Sequence, residues 1–133
     1  MHNLRRLHLW FGLVALGTFL ATGAYMRLRV PAVADLEVAQ RIFFRSRHIY
    51  ILAGALAHLL LGAYLSVAPS ARARALQGVG SGLLFLAVPL LVTAFVLEPP
   101  ALNLEGAAGG YGLYALLGGV ILHLCAGVRR TAA

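Results

Sequence analysis

Lysine is absent from this 133-residue chain, acidic residues number four and cysteine occurs once. Each scarcity removes an option. With 11% charged residues against 61% hydrophobic ones, too little polar surface exists to coat a soluble domain, and residues 1–133 read as one unit. The lone Cys125 cannot form an internal disulfide, so the redox compartment is not written in the sequence. No catalytic signature stands among the remaining polar residues, and no catalytic residue is assigned. All 11 basic residues are arginine, a bias that fits a GC-rich, bacterial genome. A net charge of +7 would suggest nucleic acid in a soluble protein. Here the arginines flank apolar runs, where they orient helices and meet anionic lipid, so membrane lipid is the expected partner and nucleic acid is not.

What the chain has is apolar length. Leu7 to Met26, Ile49 to Ala68, Leu76 to Leu97 and Gly106 to Val128 carry no charged side chain. At 1.5 Å rise per residue, each is long enough to cross the ~30 Å hydrocarbon core of a bilayer as a helix. The expected fold is all-α: an integral membrane four-helix bundle with spans at about 7–26, 49–68, 76–97 and 106–128 and both termini on the same side. Arg5 and Arg6 precede an apolar run that ends in small residues near Ala21 to Ala24, as in a secretory signal. The run is longer than a signal core, and a retained helix is expected.

The connections carry their own punctuation. Pro31 should break the first helix and Asp35 should cap a new one running through His48 into the second span. Pro69 should stop that span, Pro89 should kink the third, and Glu98-Pro99-Pro100 should end it. Arg129 and Arg130 mark the end of the fourth. Arg5, Arg6, Arg72, Arg74, Arg129 and Arg130 fall on the terminal side, against Arg27, Arg29, Arg41, Arg45 and Arg47 opposite. By the positive-inside rule, the termini belong in the cytoplasm of a bacterial inner membrane. All four acids, Asp35, Glu37, Glu98 and Glu105, fall opposite the termini. Glu98 or Glu105 is expected to pair with Arg41, Arg45 or Arg47 as exposed ion pairs contributing about 0 to 1 kcal/mol each.

Helices in lipid associate through close packing and buried polar contacts, and small residues make close packing feasible. Gly54, His58 and Gly62 follow one another at i, i+4 spacing, Gly119, His123 and Gly127 repeat the arrangement, and His8 precedes Gly12. One reading is helix packing with histidine as polar glue, worth ~1 kcal/mol per contact. A second is axial ligation of haem b, which needs neutral imidazoles on facing helices and glycines beside the porphyrin. His123 is then the leading iron ligand, with His58 or His8 opposite; His58 and His123 differ in depth by roughly 5 Å at 1.5 Å per residue. Proton or metal handling is the third reading.

The run Arg6-Leu7-His8-Leu9-Trp10-Phe11-Gly12, ending in Thr22-Gly23-Ala24-Tyr25-Met26, resembles the first helix of bacterial membrane-bound b-type cytochromes and of PepSY-associated membrane helices. In those families a histidine near such a Trp and Gly binds haem, which implies a ligand role for His8. The second constellation is Arg41, Phe43, Phe44, Arg45, Arg47, His48 and Tyr50. Arg41, Arg45 and His48 share a helical face, and Arg41, Arg45, Arg47 and His48 are candidates for binding an anion or a lipid head group. The alternative is a snorkelling anchor. This arginine-rich opening of a second helix is similar to the membrane-associated eicosanoid and glutathione metabolism family, which implies glutathione contacts for Arg41, Arg45 and Arg47. The Asn and Glu of that family's next turns are apolar residues here.

Taken together, the sequence points to a small subunit or stand-alone protein of the energy-transducing membrane, holding haem b for electron transfer. The competing readings are a non-catalytic structural or assembly subunit and a glutathione- or lipid-handling enzyme. The glycine-rich faces invite self-association or other membrane subunits.

Overall fold

The computed structural model describes residues 2–101 and 107–128. They form four α-helices and, among the described residues, no strand: α1 (His2–Leu28), α2 (Val38–Tyr64), α3 (Ala71–Ala101) and α4 (Ala107–Val128). Three of them, α1, α3 and α4, are long and apolar enough to cross a membrane. Glu105, Arg129 and Arg130 lie outside the described residues.

Three expectations about boundaries need correction. The second span does not run to Ala68, because α2 ends at Tyr64. The side chain of Gln77 then takes over the backbone of the next residues, accepting from the N–H of Ala68 at 3.0 Å and donating to the carbonyl of Ser66 at 2.8 Å. Asp35 does not cap a long helix; it closes a short 3-10 turn, Val33–Asp35, and α2 starts at Val38 with Glu37 at its N-cap position. Glu98-Pro99-Pro100 does not end α3, which continues to Ala101. The prolines lack N–H groups, but the Glu98 carboxylate is tied to two other helices, and those contacts hold the last turn.

Successive helices run antiparallel. A Cβ on Gly62 would meet Leu9 and one on Gly12 would meet Leu59, so the start of α1 lies against the end of α2. Gly54 faces Val88 across α2 and α3, and Gly112 and Gly119 face Leu91 and Leu84 across α3 and α4. Cα substituents are missing where the backbones come nearest, as van der Waals packing between apolar helices requires.

The interior is layered along the helices. At the end near the 3-10 turn, Val33, Phe44, Ile51, Leu91 and Phe95 pack together. Next comes a thinner layer of Ala15, Ala55 and Val88, and at the far end Ala68, Ala73 and Ala126. Between these two alanine-rich layers sit His8 and His58, both fully buried. The outside is apolar as well: Trp10, Val14, Leu20, Leu60, Val96, Tyr114, Leu117 and Leu124 are all exposed. An apolar exterior over an apolar core that also holds buried histidines is not the surface of a water-soluble bundle.

Candidate functional site

Helix α1 carries His8 on the face that Gly12 leaves close to α2, and α2 presents His58 one turn before Gly62. The two rings therefore meet: His8 Nδ1 lies 2.8 Å from His58 Nδ1. The second nitrogen of His58, Nε2, donates to the carbonyl oxygen of Leu84 on α3 at 3.1 Å. The second nitrogen of His8 lies 3.0 Å from Ser81 Oγ, also on α3. Ser81 Oγ in turn lies 3.2 Å from His123 Nε2 on α4. A hydrogen-bonded chain thus joins all four helices, from His123 through Ser81 and His8 to His58 and Leu84. His123, unlike the other two, is only half-buried.

The surroundings of the chain are aromatic. Phe85 stacks on His8 at a centroid distance of 4.7 Å and lies 4.8 Å from His58, while Phe11 lies 4.7 Å from His58. Phe11 and Phe85 touch edge to face at 5.0 Å. The three histidines named as iron-ligand candidates, His8, His58 and His123, are brought together, while His48 lies apart against Thr22 and Phe19. Ser81, Leu84, Phe11 and Phe85 were missed. Ser81 stands out in retrospect as a hydroxyl in an apolar helix, flanked by Gly80 and Gly82.

Two imidazoles sharing one iron hold their coordinating nitrogens about 4 Å apart across a flat slot. The expected ligand His123 meets His8 only through Ser81 Oγ, 3.2 Å from His123 Nε2 and 3.0 Å from His8 Nε2, so a hydroxyl and not a flat slot lies between them, while His8 and His58 touch at 2.8 Å with phenyl rings beside them. Gly119 leaves no room for a porphyrin edge either, since a Cβ there would lie 2.8 Å from the carbonyl of Gly80. This arrangement does not fit bis-histidine haem. Among the described residues, no group of three His, Cys, Asp or Glu side chains is placed to hold a metal ion.

The basic residues of α2 go to separate partners. Arg41 donates to the carbonyl of Ala34 at 3.2 Å, Arg45 is exposed, and Arg47 donates through Nε to Glu98 Oε2 at 2.6 Å. Glu98 Oε1 accepts from the N–H of Gly109 at 2.7 Å, so one carboxylate links α2, α3 and the first turn of α4. His48 Nδ1 lies 2.9 Å from Thr22 Oγ1, and because the Thr22 hydroxyl donates to the carbonyl of Phe19 at 2.9 Å, the ring nitrogen is the donor; the ring also stacks on Phe19 with centroids 4.1 Å apart. Burial holds the His48 imidazole below its ordinary titration range. Arg41, Arg45, Arg47 and His48 thus share a helix end but do not converge on one anion.

Compared with protein-family models, curated proteins and solved structures, the chain gives no match.

Proposed function

We propose that this chain is a small integral membrane protein, not a stand-alone enzyme, whose histidine chain takes up and passes a proton within the bundle. The observation that carries the reading is the unbroken run of hydrogen bonds from half-buried His123 to fully buried His58. A proton arriving at Nδ1 of His123 makes that ring a cation. Its Nε2 proton moves to Ser81 Oγ, the Ser81 hydroxyl proton moves to Nε2 of His8, and the Nδ1 proton of His8 moves to Nδ1 of His58. Charge has then travelled inward while no atom other than hydrogen has moved far. The Leu84 carbonyl ends the chain, since a backbone oxygen accepts a hydrogen bond without passing a proton on. The chain is therefore a store or a local shuttle rather than a path across the bilayer.

Membrane placement is supported by three helices long and apolar enough to span and by the large apolar side chains on the outside, and ionisable residues inside such a bundle are candidates for function. The positive-inside rule puts the termini in the cytoplasm, and the arginine-only composition suggests a bacterial inner membrane. A second reading has the same histidines only locking the helices of an assembly subunit. It is favoured by the fact that, among the described residues, every buried side-chain nitrogen and oxygen has a partner.

Nitrogen NMR of the histidine rings in liposomes separates the two. The relay requires that acidification doubly protonate His58 and exchange the tautomers of His8 and His123 while the backbone signals stay in place. Proton uptake only on unfolding leaves the packing reading. A visible spectrum with low-spin haem b bands that vanish in His123→Ala would replace both with the haem reading.

A further inference from the structure

The histidine chain lies off centre along the bundle. His8 is six residues from the start of α1, His58 six from the end of α2 and His123 five from the end of α4. At 1.5 Å per residue these are distances of about 9, 9 and 7.5 Å from the helix ends on the side of the termini. Toward the opposite side, the same three helices run on for about 30, 30 and 24 Å at that rise. A proton bound for this chain has one short way in and one long one.

The long way is apolar. Beyond His58 come Ala15, Ala55 and Val88, then Val33, Phe44, Ile51, Leu91 and Phe95, all buried. On α3 the first buried polar side chain past Leu84 is Glu98, about 21 Å on at 1.5 Å per residue, and Arg47 and the N–H of Gly109 already hold it. On α2 the next ionisable side chains are Tyr50 and His48, about 12 and 15 Å from His58 by the same rise. Ile51 and Ala55, which expose no surface, stand between.

The short way is not. Ala68, Ala73 and Ala126 pack part of the terminal end, but a cavity of about 350 Å³ lies beside His123, and Tyr64, Ser66 and Gln77 line it together with that ring. Gln77 precedes Ser81 by one turn of α3, so one helix face carries polar side chains from the end of the bundle to the chain. The volume takes several waters, and those four residues supply the polar partners that ordered water needs. The ionisable groups around His123 are His8 on α1, with ring centroids 6.2 Å away, and His58 and Tyr64 on α2; α3 offers only the uncharged Ser81 and Gln77. Arg5, Arg6, Arg72 and Arg74 at this end are exposed, and Arg5 and Arg74 donate to backbone carbonyls; Arg129 and Arg130 follow α4 in sequence. All four acids belong to the opposite end, so the donor that reaches His123 is water rather than a carboxylic acid.

We propose that the histidine chain exchanges its proton with one side of the membrane only, the side of the termini, through water held in the cavity beside His123. This rests on the relay reading and adds an entrance to it. Gln77 is a positioning residue of that entrance, since its hydrogen bonds to Ser66 and Ala68 fix the segment that forms the rim.

The test uses the full chain carrying His2→Gln and His48→Gln, which leaves His8, His58 and His123 as its imidazoles. Liposomes are sorted by a terminal tag into termini-out and termini-in populations. After an acid jump outside, infrared bands follow imidazolium formation while a trapped dye follows the lumen. Termini-out vesicles should form imidazolium before the lumen acidifies, and termini-in vesicles only as it does. Gly127 lines the cavity and a Cβ added there has nothing within 4 Å, so Gly127→Phe plugs the entrance without displacing a neighbour. It should slow the termini-out response by about ten-fold or more, the equivalent of about 1.4 kcal/mol on the barrier. If that variant does not fold, Leu124→Trp plugs the cavity from an exposed wall position. Equally fast protonation from both sides, protonation first from the side away from the termini, or an unslowed response in a folded plug variant each overturns the proposal and leaves the relay standing. Fast one-sided protonation with His58 never doubly protonated in nitrogen NMR supports the entrance and removes the relay. No imidazolium in either population removes both.

Discussion

The Nε2 of His58 lies 3.1 Å from the carbonyl oxygen of Leu84, and this contact sets the direction of every hydrogen bond in the histidine network. A carbonyl has no proton to give, so the tautomer of His58 is fixed, and those of His8 and His123 follow as long as the rings are neutral. The expected outcome at neutral pH is a proton on Nδ1 of His8 and on Nε2 of His58 and His123, each visible in ring nitrogen shifts. Ser81→Ala removes the donor to His8 and the acceptor for His123 together. It should cost about 1–3 kcal/mol of stability, the range for stranding a buried polar group, and release the tautomer of His123. A Ser81→Ala protein that melts like the parent with unchanged histidine shifts would remove Ser81 from the chain.

The pairing of Arg47 with Glu98 was expected to be exposed and mild, and the structure changes that expectation. The two side chains are 13% and 4% exposed, and Glu98 also accepts from the first turn of α4, where the helix dipole favours a carboxylate. Glu98→Gln leaves a partly buried guanidinium without its counter-charge, and its amide N–H₂ faces donors rather than acceptors. The expected loss is about 3 kcal/mol, in the range for breaking one side of a buried pair. Thermal melting in detergent reads it, and a double-mutant cycle with Arg47→Ala should recover much of the loss, because the orphaned charge is then gone.

How far the sequence carries can be judged from particular residues. The small-residue spacing around His8, His58 and His123 identified faces that helices share, and these three side chains do meet. The depth offset of roughly 5 Å between His58 and His123, derived from helical rise, is also physically meaningful. It is bridged by His8 and Ser81 instead of by tilt, which no single-helix pattern could reveal, because the bridge comes from two other helices. The end of α2 was illegible for a related reason. Leu65, Val67 and Ala68 are as apolar as the helix before them, so hydropathy continues where the helix does not. Gln77, eleven positions from Ser66 in sequence, supplies the backbone hydrogen bonds that make the non-helical path acceptable. Likewise, four apolar stretches of similar length became three helices apolar enough to cross a membrane, because α2 draws part of its length from the arginine-bearing segment 38–47.

Acid should weaken the contact between α1 and α2 at His48. The neutral ring stacks on Phe19 and donates to Thr22, and burial disfavours its charged form, so the folded protein binds this proton only at lower pH than the unfolded chain does. Between those two values the unfolded state holds more protons, and stability rises with pH. The His48 contribution is complete above the ordinary histidine value of about 6.5 and is lost as pH falls through the lowered one. Melting temperature measured from pH 8 down to about pH 4 should therefore drop on the acid side. His48→Gln should shrink that drop, and an unchanged acid limb in the variant would show that His48 does not contribute to it.

Glycine positions separate contacts that hold the bundle from those that do not. A Cβ added at Gly62 would lie 2.8 Å from the Cα and N of Leu9, both backbone atoms that cannot rotate away. Gly62→Ala therefore has to push α1 and α2 apart just beside His8 and His58, lengthening their 2.8 Å contact. The expected cost is about 1–3 kcal/mol, as for other overpacked interfaces, with a change in the His8 and His58 ring shifts. Gly78, on the outward side of α3, has nothing within 4 Å of the same added atom. Gly78→Ala should be neutral or stabilise the helix by roughly 0.5–1 kcal/mol, since only the backbone freedom of glycine is removed. Melting curves of the two variants side by side make the comparison. Equal effects at Gly62 and Gly78 would mean that α1 and α2 are not packed at the separation described here, and the histidine contact that depends on that separation would fall with it.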